Sequence, residues 1–449
     1  MDTNIIEGNP TKTFFIEMIT RDISIKDAIL DLLDNSIDGA NRINPSDYSG
    51  LFIDITINKD EFIVKDNCGG FTLETAQKYA FRFGRPDDAP ASLGSVGRFG
   101  IGMKRALFKI GHDFEVESKT KENHFQIDVD VNKWKSKKKK IKFQDDSEKE
   151  IEDWDFRYEE INKDTCNLEE EGTYIKVVNL HTEVSSLFDD EEFIGDLKDD
   201  IERLLNFSLE KKIKITLNGI NLNKKDIVIF NEKSTPYYHE GSKNNVNFKV
   251  IAGLGEVGTP SVSGWYIYCN DRLVLEADKS EITGWGTSNI SKWHIDFVMF
   301  RGIVFLDSEE TINLPLTTTK KGIDATSDIY KSVLVFMKES MNNIIPFLRE
   351  VTKLGNEANE FRKMLGEQEN KVSVVEIKKF PEVYESRKFI SPVIDSDLIA
   401  QKKDTIRIAF DVKKEIADKA KFHSDSKSYK ELGEIIFNYY LKMEDLADG

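Results

Sequence analysis

Three cysteines, Cys68, Cys166 and Cys269, are too few and too scattered to form a disulfide framework in a chain of 449 residues. That usage suits a reducing compartment. No run of 18 apolar residues occurs, and the N-terminal MDTNIIEGNPTKTFF has neither a basic nor an apolar leader region. A soluble cytoplasmic protein with no membrane partner is expected. Basic charge is also short, because 63 Lys and Arg stand against 80 Asp and Glu for a formal net charge of −17. Phosphate binding needs local positive potential, so a surface broadly adapted to nucleic acid is excluded and only a local basic patch remains open. The six histidines, His112, His124, His181, His239, His294 and His423, show no metal-ligand spacing. Gly-x-Ser-x-Gly, a Cys/His nucleophile pair and a P-loop Gly-Lys-Ser/Thr are all missing.

The chain does contain enough apolar material to fold: 39% hydrophobic and 10% aromatic residues, sufficient for two or three domains. Its patterns predict an α+β protein. Ser24 followed by Asp27 resembles a capping box opening a helix to about Ala40. Along it Ala28, Leu32, Leu33, Ser36 and Ala40 form one stripe, while Asp27, Asp31, Asn35 and Asp38 gather on another face. Asp31, Asp34 and Asp38 lie too deep for the helix dipole to explain. Leu51–Asn58 and Glu61–Lys65 read as a hairpin that runs into Asp66-Asn67-Cys68-Gly69-Gly70. A helix is expected around Leu73–Phe83. After a Gly/Pro/Ser-rich stretch, Gly97-Arg98-Phe99-Gly100-Ile101-Gly102 opens a helix from Met103 to Ile110. Strands dominate His112–Leu180. There the lysine-rich Lys133–Lys142, with Trp134 read as a strand residue, and the acidic Asp145–Glu160 suit a solvated hairpin of complementary charge.

The chemistry follows from residue types. Asp31 and Asn35, four apart, share a helix face; a carboxylate to orient water beside a carboxamide oxygen for Mg2+ is what hydrolysis of a γ-phosphate needs. Asp66, at a strand end, offers an acceptor to an exocyclic amine, and the glycines after it let the backbone pass close to a flat base. Gly97, Gly100 and Gly102 expose N–H groups at a helix start, an anion cradle. Lys104 adds a positive charge in that first turn, where the dipole disfavours it. Singly, the carboxylates would be a solvated face, and Cys68 reads as a small buried residue rather than a reactive thiol. The three elements in order make the set specific.

In that order the residues resemble the GHKL ATPases, which group gyrase B, the ninety-kilodalton heat-shock chaperones, MutL and the MORC proteins on the Bergerat ATP-binding fold. Asp31-Leu32-Leu33-Asp34-Asn35-Ser36-Ile37-Asp38 is similar to the N box, Asp66–Gly70 to the D-x-G-x-G box and Gly97–Gly102 to the G-x-x-G-x-G box. Gly172-Thr173 is similar to the Gly-Thr that closes the adenine pocket. The resemblance implies ATP and Mg2+ as cofactors, with Asn35 on the metal and Asp66, with Thr173, on the adenine amino group. It adds Asp38, Gly70, Gly97, Gly100, Ile101, Gly102 and Lys104 around the nucleotide, and Gly84–Ser95 as a lid. Pro315–Lys321 is similar in placement to the transducer-domain lysine loop, which makes Lys320, with Lys321 as fallback, a catalytic candidate beside Asp31. Asp31 stands where the family has Glu, one methylene longer, which implies slow turnover. Cys68 stands in place of the first glycine of the second box.

The resemblance covers roughly residues 10–345. It implies a Bergerat α/β sandwich with an N-terminal arm over 1–208 and a transducer-like (ribosomal-protein-S5-like) α+β domain over 209–350. A helical linker over 351–404 and a small strand–helix–helix unit over 405–449, weakly similar to a ribbon–helix–helix dimerisation module, are expected to follow. Residues 401–449 carry ten Lys/Arg and ten Asp/Glu, which favours dimerisation over DNA reading. From this layout the histidine kinase branch, with its phosphoacceptor helix pair, and gyrase B, with its cleavage domain, are not expected, and the last hundred residues show no nuclease-like metal motif. The expectation is an ATP-hydrolysing homodimeric clamp or remodeller, MORC-like or chaperone-like, acting on DNA or a partner protein, with bacterial antiphage defence as its setting. The alternative is a nucleotide-sensing switch or scaffold with little hydrolysis.

Overall fold

Alternating burial along Phe52–Ile57 and Glu61–Asp66 puts Ile53, Ile55, Phe62 and Val64 on one face of a hairpin, and the same period places Asp66 there too. This hairpin lies in the middle of an eight-stranded sheet. Edge to edge the strands are Ile220–Asn221, Lys214–Leu217, Phe52–Ile57, Glu61–Asp66, Gly172–Leu180, Gly111–Lys119, His124–Asp130 and Glu159–Glu160. Neighbours are antiparallel except Lys214–Leu217, which runs parallel to Phe52–Ile57. The sheet therefore continues past residue 208 into the stretch expected to open the second domain. The computed structural model describes residues 8–84, 101–142, 148–161, 166–225, 227–256, 260–317, 322–380, 388–394, 408, 410–424 and 426–444.

Helix Ile25–Ile43 begins where Ser24 accepts from the Asp27 N–H at 3.1 Å, and helix Gly102–Ile110 packs beside it. Ala28, Ile29, Leu32, Leu33, Ala106, Leu107 and Ile110 share one core with the sheet residues Ile53, Phe62, Val116 and Val177. Each fully buried Ile or Leu contributes roughly 1.5–3 kcal/mol relative to exposure. Two carboxylates of the first helix are not solvated: Asp31 and Asp34 are each 4% exposed and ion-paired to arginines. A buried carboxylate needs such a partner.

Two further expectations change. Trp134 lies in helix Val131–Ser136 and not in a strand, and its ring stacks on Phe156 at 5.2 Å within a cluster that includes Phe83 and Trp154. The chain before residue 24 contains helix Lys12–Arg21. Its buried Lys12 donates to the carbonyls of Trp134 and Lys137 at 2.5 and 2.9 Å. The charged hairpin is formed as expected by Lys138–Lys142 and Glu148–Glu152, exposed and ion-paired through Lys140–Glu148 at 3.2 Å and Lys138–Glu150 at 3.4 Å.

A second, five-stranded sheet has the order Tyr237–Lys243, Val246–Leu254, Phe300–Asp307, Gly264–Cys269 and Arg272–Asp278. The long helix Asp328–Lys353 packs on it, burying Val333, Met337, Met341 and Ile344. Tyr238, Ile251, Tyr268 and Phe305 of the sheet share a core with Val372, Val374, Val375 and Ile377. That last group falls in the segment expected as helical linker. Instead, Lys371–Ser373 pairs with Val228–Phe230, and Ser373 caps helix Val374–Lys378 with a complete capping box. The apolar run is short and its flanks are polar, so its burial is set by the strand it pairs with rather than by a local pattern.

Residues 1–393 make one compact unit and residues 394–449 another. In the second, helices Lys414–His423 and Tyr429–Met443 occur where expected, while the strand expected over Thr405–Phe410 lies almost wholly outside the described residues. Among the described residues no helix is long and apolar enough to cross a membrane.

Candidate functional site

Strand register assembles the centre of the site. Asp66 stands opposite both Ile53 and Thr173, so the end of the hairpin meets the start of Gly172–Leu180. Only glycine fits at position 172, because a Cβ there would lie 1.9 Å from the Asp66 carbonyl oxygen. Asp66 is 3% exposed. Its Oδ1 accepts from the N–H groups of Cys68 at 2.8 Å and Thr173 at 3.2 Å, and its Oδ2 accepts from the Ser36 hydroxyl at 2.7 Å. Burial raises its pKa, against the pull of those hydrogen bonds and of Arg42. Oδ2 accepts only the Ser36 hydroxyl among the described residues, and Asp66 is one of the residues lining a cavity.

That cavity has a volume of about 210 Å³ and lies between helix Ile25–Ile43, the two strand ends and the start of helix Gly102–Ile110. Asn35, Ser36, Asp38 and Arg42 line it from the first helix, Asp66, Gly70 and Thr173 from the sheet, and Gly102 and Lys104 from the second helix. Gly70 holds a left-handed φ of +59°, and a Cβ there would come within 2.5 Å of the Lys119 carbonyl oxygen, so the turn at the rim requires glycine. Thr75 and Ala80 close one side, from a helical turn Leu73–Thr75 that widens into π-helical Ala76–Ala80. The helix expected around Leu73–Phe83 is thus present over Leu73–Ala80, with its second part π-helical.

Electrostatics divide the site. Asn35 is exposed and Asp38 half-buried, so both present polar atoms at the cavity rim. Asp31 is turned inward instead, with Arg105 Nη2 2.5 Å from its Oδ2 and Gly102 packed close by. Lys104 is 1% exposed, donates to the Ala80 carbonyl at 2.5 Å and lies 5.8 Å from the centre of the Phe83 ring. Desolvation lowers its pKa to about 7, so near neutrality it carries a partial charge.

Of the residues singled out in the sequence, Asn35, Asp38, Asp66, Gly70, Gly102, Lys104 and Thr173 meet at this cavity, with Asp31 behind Gly102 and Ile101 preceding that helix. Gly97, Gly100 and Lys320 lie outside the described residues. Sequence reasoning missed Arg42, which donates to the Gly70 carbonyl at 3.0 Å from one helical turn beyond Asp38, a spacing that was available to read. It also missed Ser36 as the hydrogen-bond partner of Asp66, and both arginines that pair with Asp31 and Asp34. Among the described residues, Glu117, His124 and Cys166 could together hold a metal, but Glu117 already accepts from His124, Asn167 and Leu168.

Residues 23–168 match the family described as histidine kinase-, DNA gyrase B-, and HSP90-like ATPase. Over 86 residues the chain is 34% identical to the Sensor protein QseC of Escherichia coli K12 and, equally, to that of Escherichia coli O157:H7. That stretch is 19% of this chain and 18% of each relative, so the chain spans less than a fifth of the length of the curated proteins it matches. The matched span contains the helix, the hairpin, the buried carboxylate and the second helix start that surround the cavity. Residues 23–168 are thus the part of the chain that matches a GHKL-type ATPase domain, of the family that groups histidine kinases, DNA gyrase B and HSP90.

Proposed function

We propose that the chain binds ATP in this cavity, with its adenine on Asp66 and its phosphates toward Gly102, and hydrolyses it slowly. The observation that carries this reading is the buried Asp66 carboxylate, oriented by Ser36, Cys68 and Thr173 in the lining of the cavity. An exocyclic amino group is the donor that suits it. Gly102 starts a helix, and the N–H groups and dipole of a helix N-terminus favour phosphate oxygens.

Mg2+ fits the donors present. It keeps most of its waters and takes one or two protein oxygens beside those of phosphate, and Asn35 offers one on the rim. Bound there, it would neutralise charge on the phosphate oxygens. Asp31 would orient the attacking water, Lys104 would add charge near the phosphates, and Lys320 would approach the γ-phosphate from its loop. Arg105 holds Asp31 in an ion pair, and the side chain is a methylene shorter than Glu, so turnover is slow.

We extend the reading to a homodimeric, nucleotide-gated clamp or remodeller working on DNA or a partner protein, in antiphage defence. Its dimer contact is assigned to helices Lys414–His423 and Tyr429–Met443, which expose Ile416, Phe422, Ile435, Ile436 and Phe437. The second reading, a nucleotide-sensing switch with little hydrolysis, is favoured by the same Asp31–Arg105 pair. Mg2+-dependent ATP turnover of the wild type against Asp31→Ala separates them, since equal rates would remove the hydrolytic reading. Fluorescence anisotropy with DNA at low salt, with and without a non-hydrolysable ATP analogue, tests the DNA arm. Absence of binding in both states excludes it.

A further inference from the structure

The hairpin between Gly264–Cys269 and Arg272–Asp278 is held with unusual firmness. Its tip residues Asn270 and Asp271 both sit at left-handed φ, 46° and 66°, which Asn and Asp tolerate best after glycine. Asn270 exchanges two 3.0 Å hydrogen bonds with Ser308. Asp271 is gripped by Lys211 at 2.7 Å and Lys378 at 2.5 Å, and Lys378 also holds Asp307 at 2.7 Å. The hairpin tip is thereby tied to the end of helix Asn206–Glu210, to the second sheet and to helix Val374–Lys378.

The next residue is Arg272. It reaches out of the second sheet, is 8% exposed, and pairs with Asp34 on helix Ile25–Ile43. Asp34 lies between Asp31 and Asn35 in the sequence of that helix. On its side of the helix is a second cavity of about 280 Å³, lined by Asp34, Asp38, Asn41, Asn270, Asp271 and Arg272 among others. Asp38 lines both cavities, so the helix is their common wall.

We infer that Arg272 is a positioning residue that ties helix Ile25–Ile43 to the second sheet through Asp34, so that the nucleotide state of one face of the helix is read by the hairpin on the other. The inference rests on the proposed nucleotide site. A buried guanidinium–carboxylate pair cannot part without leaving a desolvated charge, so helix and hairpin move together. The cavity beside the pair leaves room for that displacement. A ligand that contacts Asn35 and Asp38 differently in two helix positions biases the pair by mass action.

Hydrogen exchange, with and without a non-hydrolysable ATP analogue and Mg2+, tests this on the full chain. In the wild type, the analogue should slow amide exchange both in Asp31–Asp38 and in Cys269–Leu273, by about fivefold or more, the lower end of measured couplings. In the double variant Asp34→Asn, Arg272→Gln, which leaves no orphaned charge, the helix response persists and the hairpin response is lost. Arg272→Lys keeps the charge without the planar fork and at least halves the hairpin response, which supplies the comparison if the double variant does not fold. A hairpin response equal to wild type in whichever variant folds overturns the inference. So does a wild-type helix that responds while its hairpin does not. Failure of the wild type to bind a fluorescent ATP analogue at all removes the nucleotide reading itself, a different result from binding without coupling.

Discussion

Replacing Asp66 by asparagine changes one atom's chemistry at the point where the base is proposed to sit. In the wild type Oδ1 holds two backbone N–H groups and Oδ2 accepts from Ser36, within a residue that lines the cavity. In Asp66→Asn the amide oxygen keeps the two backbone donors, and the amide nitrogen takes the position of Oδ2, where the Ser36 hydroxyl turns to accept. Folding is little affected, because the loss of charge-assisted bonding is offset by relief of a carboxylate whose burial is unfavourable. Binding is affected strongly. A hydrogen bond to a charged acceptor is worth about 1.5–3 kcal/mol, and the variant points a donor at the adenine amine. At 1.4 kcal/mol per decade, the Kd for ATP rises roughly ten- to hundredfold. Inosine triphosphate, with an acceptor in place of the amine, should bind the variant better than it binds the wild type. Isothermal titration calorimetry of both nucleotides with Mg2+, beside a urea unfolding curve, reads these terms separately. ATP affinity within about threefold of wild type, or equal loss for both nucleotides, would refute an adenine seated on Asp66.

Three other outcomes follow from the same geometry. Lys104 has its pKa lowered to about 7 from 10.5, so between those values the unfolded chain holds a proton that the folded chain does not, and stability rises with pH by up to about 1.4 kcal/mol per unit; below pH 7 both states hold it and the rise stops. Lys104→Met should abolish this rise, and an unchanged wild-type-minus-variant difference in urea unfolding at pH 7 and pH 9 counts against it. Lys12→Met removes the donor to two carbonyl groups and should lower the unfolding free energy by about 2–4 kcal/mol; an unshifted denaturation midpoint would show that the N-terminal helix is not anchored there. Ile435→Glu with Phe437→Glu should halve the particle mass seen by light scattering, whereas a wild type that is already monomeric sinks the dimer assignment.

The parts legible in advance share a cause. The first helix, the hairpin ending in Asp66, the glycine-opened second helix and the Gly172-Thr173 strand start are all local patterns, with caps, periods and obligatory glycines within a few residues. The charged hairpin was readable because its partners are neighbours along the chain. What stayed hidden was tertiary in origin. Trp134 belongs to a helix because Phe83, Phe108, Trp154 and Phe156 surround it. Lys371–Ser373 is a strand because Val228–Phe230 offers it an edge.

The same division runs through the site. By itself the sequence determined which residue types stand at which spacing on the helix and strand, and so which chemistry was available: a carboxylate for an amine, a carboxamide for a metal, a helix start for phosphates. The tertiary structure alone decided how those groups are engaged. Strand register set Asp66 beside Thr173, burial turned Asp31 toward Arg105, and the second sheet brought Arg272 to Asp34. Local period depends on a few dihedral angles, whereas the partner of a buried charge depends on which distant segment fills the space around it.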